Sequence, residues 1–92
     1  MDKKINYYVI GGQYQAFCYG GTPTLLGAKR LAGKNREYWD NWQGWHVPAI
    51  YAAEDCEEGT NFYGEQIVPK AGVSPVAVCD AESGRWSEPE RW

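Results

Sequence analysis

The residues with the widest chemical reach in this chain are one histidine and three cysteines, His46, Cys18, Cys56 and Cys79. A cysteine beside a histidine can act as a nucleophile, and four such ligands can hold zinc. The spacing supports neither. No C-x-x-C occurs, the thiols lie far apart in sequence, and no serine stands in a nucleophile elbow. The chain therefore carries no catalytic signature, and neither a metal nor a cofactor is expected. Three scattered cysteines also make no disulfide framework, and read as reduced thiols of a cytosolic protein.

Recognition is the other chemistry within reach. Tyr38, Trp39, Trp42, Trp45 and His46 fall within nine residues and hold three of the five tryptophans. In a helix or turn, the three-residue spacing of Trp39, Trp42 and Trp45 puts them on roughly one side. They either fill a small core or face outward, where large flat side chains stack on a ligand, grip a sugar or anchor a protein partner. Five Trp and seven Tyr in 92 residues are more than one small core absorbs, and the excess favours binding.

Charge is divided along the chain. Residues 1–36 hold six basic groups against Asp2 alone, whereas residues 37–92 hold eleven acids against Lys70, Arg85 and Arg91. Two clusters stand out. Glu54, Asp55, Glu57 and Glu58 read as a solvated turn or as a DNA-like negative surface that could occupy the basic groove of a nucleic-acid enzyme. Lys29, Arg30, Lys34 and Arg36 read as a solvated helix face or, with Tyr19, Gly20, Gly21 and Thr22, as a nucleotide site. In that site a ring stacks the base while backbone amides and cations hold phosphate. The Walker and Rossmann glycine patterns are missing, and the chain is too acidic for direct nucleic-acid binding to be expected.

The elements that would position these groups follow from local pattern. Ile5 to Tyr19 is β-favouring, and Gly11-Gly12 in its middle reads as a two-residue hairpin turn, with one long bulged strand as the competing reading. Thr22 as N-cap and Pro23 at the first position open a helix whose apolar face is Leu25, Ala28, Leu31 and Ala32. Further strands are expected over Val47 to Ala53, Asn61 to Val68 and Pro75 to Cys79. The fold class is α+β: one small domain over 1–80, a mostly antiparallel sheet of three to five strands with one main helix on one face, and a tail over 81–92, docked or flexible. With 43% apolar and 23% charged residues the chain is expected to fold rather than stay disordered. No apolar run approaches the roughly 20 residues of a membrane helix, so a cytoplasmic protein without membrane contact is expected.

The order of a strand, Gly20-Gly21-Thr22-Pro23-Thr24, the run Leu25 to Ala32 and a later strand ending in acids resembles small accessory proteins of phages and mobile elements, among them anti-CRISPR and other anti-defence proteins. The likeness runs over about residues 7–55 and includes the short, acidic, Trp- and Tyr-rich profile; it carries over no functional residue. It implies a non-enzymatic inhibitor that plugs a host defence protein or complex, or a sponge for a nucleotide signal. For the inhibitor, the expected contact residues are Tyr38, Trp39, Trp42, Trp45, His46, Glu54, Asp55, Glu57 and Glu58. For the sponge they are Tyr19, Gly20, Gly21, Thr22, Lys29, Arg30, Lys34 and Arg36. A homodimer through an exposed sheet edge or aromatic patch is compatible with either reading.

Overall fold

The computed structural model describes residues 4–12, 15–35, 47–61, 63–80 and 85–88. Within them, β1 (Tyr7–Gly11), β2 (Phe17–Thr22), α1 (Leu25–Lys34), β3 (Ala49–Ala52), β4 (Cys56–Asn61), β5 (Gly64–Pro69), β6 (Ala77–Cys79) and β7 (Trp86–Ser87) follow in order. Five strands make one sheet in the order β2-β1-β3-β6-β7, and β4 with β5 makes a separate two-stranded ribbon; every pairing is antiparallel. The result is the expected α+β domain with one helix. Its strands, seven in all among the described residues, outnumber those the sequence pattern suggests.

The first hairpin forms, but with a wider connection than a two-residue turn. Gly11 stays in β1 opposite Phe17, so the connection is longer than two residues. Among the described residues of this connection Gly12 alone takes positive φ, +104°, where a Cβ would collide with the Gln15 carbonyl and Phe17. β2 then runs on through Thr22, which pairs with Tyr7, and this displaces the helix start. The N-cap is Thr24 rather than Thr22: its backbone is extended and its Oγ1 accepts from the Gly27 amide at 3.0 Å. The Thr22 hydroxyl is occupied in donating to the Thr24 carbonyl at 2.7 Å. Pro23 precedes the cap instead of opening the helix, which fits Thr22, since a residue before proline is driven to extended backbone. Gly33 lies inside the helix, and Asn35 ends it, its amide and side chain both reaching the Leu31 carbonyl.

α1 lies against β1, β2 and β3 through Ala28 and Ala32, both fully buried, with Leu25 and Leu31 packed at the margin. Beneath them are Val9 and Ile50, neighbours in the ladder and fully buried, joined by Ala52, Val76 and Ala77. Small helix residues let the helix sit close, and Gly20 extends that closeness to β2. A Cβ there would stand 3.0 Å from Leu31 Cδ2, and φ is +147°. Tyr7, Tyr19 and Trp86 pack around this aliphatic centre rather than forming it.

The C-terminal stretch, polar enough to leave without an element on sequence grounds, contributes β7. Trp86 pairs with Cys79 and packs half-buried against the core, and Lys29 Nζ meets Glu88 Oε1 at 3.6 Å.

Two glycines test this packing in opposite senses. Gly20→Ala is expected to destabilise the protein by roughly 1–3 kcal/mol, from strain at positive φ and crowding of Leu31. Gly33→Ala, a solvent-facing helix position with nothing within 4 Å of the added Cβ, is expected to stabilise by about 0.5–1 kcal/mol. Urea denaturation midpoints that move the same way for both would contradict this account.

Candidate functional site

β3 ends in a short 3-10 turn over Ala53–Asp55 that delivers the chain into β4. The acidic cluster is thus divided. Glu54 and Asp55 lie in the turn, but Glu57 and Glu58 belong to a six-residue strand, not to a solvated turn. The sequence pattern misses this because Cys56-Glu57-Glu58-Gly59-Thr60-Asn61 has little β preference of its own. Pairing with Gly64–Pro69 supplies what propensity lacks, and next to it the Tyr63 amide donates to Asn61 Oδ1 at 2.9 Å.

The ladder brings in a fifth carboxylate. Glu65 lies opposite Thr60, and Glu58 opposite Ile67, so strand alternation puts Glu58, Thr60, Glu65 and Ile67 on one face of the ribbon. That face and the start of β2 border an open cleft of about 540 Å³, lined also by Phe17, Cys18, Gly59 and Gln66. Glu57, Glu58, Thr60 and Glu65 are all exposed. Lys70 is the cation at the ribbon, and its Nζ donates to the Glu54 backbone carbonyl at 3.1 Å. Among the described residues none of the five carboxylates makes a salt bridge.

Specific hydrogen bonds hold the ribbon to the sheet. Gln66 Oε1 accepts from the Cys18 amide at 2.9 Å, and Asn61 Nδ2 donates to the Ala16 carbonyl at 2.8 Å. Phe17 packs edge-on between Tyr19 and Tyr63, with ring centroids 5.1 and 5.3 Å away. Behind this contact sit Cys18, Tyr51 and Cys56, whose acid groups are all pushed up by burial. The Cys56 thiol rises to about 11, helped by the neighbouring Cys18 and Asp55. Cys56 Sγ donates to the Ala52 carbonyl and Cys18 Sγ to that of Gly20. Burial and these bonds favour the protonated thiol over the thiolate.

The remaining expected site residues separate. Tyr38, Trp39, Trp42, Trp45, His46 and Arg36 lie outside the described residues. Tyr19, Gly20, Gly21 and Thr22 are strand residues of β2, not a loop leading into the helix N-terminus. Packing accounts for both glycines, since a Cβ on Gly21 would stand 2.7 Å from Ile5 and 2.9 Å from Tyr8. Lys29, Arg30 and Lys34 lie on α1, with Lys29 paired to Glu88. Sequence reasoning misses Glu65, Gln66 and Phe17. Asn61 and Gly64, turn-favouring residues between two short runs, were the available signal, because their pairing fixes the register that sets Glu65 across from Thr60.

Compared with family models, curated proteins and solved structures, the chain matches none. No described helix is long and apolar enough to cross a membrane, and no group of three His, Cys, Asp or Glu among the described residues is placed to hold a metal ion.

The raised thiols make stability depend on pH. Below pH 9.0, the ordinary thiol value, Cys56 keeps its proton whether folded or unfolded. Above it the unfolded chain loses the proton first, so stability falls as pH rises and this contribution levels off beyond about 11. Cys18, Tyr19 and Tyr51 act in the same direction. Melting temperatures measured from pH 8 to 11 are expected to fall, and Cys56→Ala to fall less steeply; equal slopes would remove Cys56 as a cause.

Proposed function

We propose that this protein is a non-enzymatic binding protein that blocks a larger partner, with the β4–β5 ribbon as the acidic part of its contact surface. One observation carries the reading: Glu57, Glu58 and Glu65 lie exposed on a ribbon fastened to the sheet, Glu54 and Asp55 lie in the turn that leads into it, and none of the five is in a salt bridge among the described residues. Carboxylates held on a rigid element without internal counter-ions steer a basic surface and fix its register. A partner that handles nucleic acid presents such a surface, and small phage-type anti-defence proteins act by occupying one. Trp39, Trp42 and Trp45 supply the apolar anchors of this reading, because acidic residues alone give on-rate and specificity more than affinity.

The nucleotide-binding alternative has less support. Gly20 and Gly21 sit in the β1–β2 ladder, and Lys29 is engaged by Glu88.

The test is affinity capture from bacterial lysate with identification by mass spectrometry, comparing wild type with the charge-reversed variant Glu57→Lys, Glu58→Lys, Glu65→Lys. A basic protein retained by the wild type, eluted by salt and lost by the folded variant is the expected result. Equal retention by both would refute the ribbon's part. Trp42→Ala or Trp45→Ala is expected to weaken the captured complex by about 2 kcal/mol or more if either is an anchor. Unchanged affinity in both would place the apolar contact elsewhere.

A further inference from the structure

β4 is paired on one side only. Its six residues bond to β5, and among the described residues no strand lies along its other edge, whereas the β2 edge of the main sheet is already met by the Gln66 and Asn61 side chains. An open edge of this length is a template for a further strand, and proteins commonly blunt such edges with charge. Glu57 and Glu58 serve that end against a second copy of this chain, which would bring its own pair of carboxylates onto the same short edge. Blunting does not account for Glu65 on the neighbouring strand, nor for the cleft that Glu58, Thr60, Glu65 and Ile67 border with Phe17. A carboxylate pair, a hydroxyl, an aliphatic side chain and an aromatic ring match the two ends of a lysine or arginine side chain, a cationic head on an apolar stem.

We infer that the outer edge of β4 docks an extended basic segment of a partner protein, which adds a third strand to the ribbon and directs a lysine or arginine side chain to the adjoining cleft. This rests on the acidic-ribbon reading and gives it a mode of binding. Backbone pairing supplies affinity, and alternate side chains supply selectivity. A segment with cations at every second position puts them all on one face, the period at which Glu58 and Thr60 recur along β4.

The test uses the whole protein and two short synthetic peptides that alternate lysine with threonine, identical except that the second is N-methylated at every other residue, removing donors from one edge. Titration calorimetry and amide exchange read the outcome. Saturable binding of the first peptide is expected, with salt weakening it and β4 amides gaining protection. N-methylation is expected to weaken it about tenfold or more, because the lost donors are the pairing groups. Glu58→Gln with Glu65→Gln, both at exposed positions, is expected to weaken it by a similar factor. Equal binding of the two peptides would overturn strand addition while leaving charge attraction intact. No binding of either would overturn the inference, whereas the acidic-ribbon reading fails only if the captured protein is retained equally by the charge-reversed variant.

Discussion

Everything in this fold depends on how closely α1 approaches the sheet. Val9 and Ile50 are fully buried, and the fully buried helix residues in their cluster are Ala28 and Ala32, with Leu25 and Leu31 at the margin. Small residues contribute little area of their own, so this core relies on the helix lying low across β1, β2 and β3. Gly20 is the matching concession on the strand side, leaving room for Leu31 where any side chain would crowd it. The helix can then carry the chain from edge strand β2 over β1 to β3, and this crossing places β3 where β6 and β7 can extend the sheet.

The ribbon is a different kind of structure. Among the described residues it has no buried core residue of its own, and side-chain to backbone bonds from Gln66 and Asn61, with the packing of Phe17 against Tyr63, fasten it to β2. A two-stranded ribbon standing alone is marginal in water. The Gln66 and Asn61 bonds and the Phe17–Tyr63 contact tie it to the main sheet, which an isolated pair of strands lacks.

The polar protons of this region fit the same division of labour. Cys18 and Cys56 hold their protons more tightly than ordinary thiols because they are half-buried between ribbon and sheet, each donating to a backbone carbonyl. The thiols are drawn inward to backbone carbonyls, while Glu57, Glu58 and Glu65 of the ribbon are exposed.

The sequence by itself determined the local elements and the class of fold. The β-favouring run of Tyr7 to Ile10, the Leu25, Ala28, Leu31 and Ala32 stripe and the strand at Ala49–Ala52 are written in side-chain preference and period, which act over a few residues. Its errors were of one kind. Thr22 had the chemistry of a cap but was kept in β2 by pairing with Tyr7, and Trp86 had too polar a neighbourhood to suggest a strand until Cys79 lay beside it. Glu57 and Glu58 looked like a turn until β5 paired with them. The cleft was beyond reach for the same reason, since Phe17, Glu58 and Glu65 meet only through the ribbon's register and its anchorage to β2. Strand pairing needs a second segment, next in the chain for β4 with β5 and far along it for Tyr7 with Thr22 or Ala52, whose backbone supplies the hydrogen bonds, so only the tertiary structure could decide which weak β-formers became strands and which acids became neighbours.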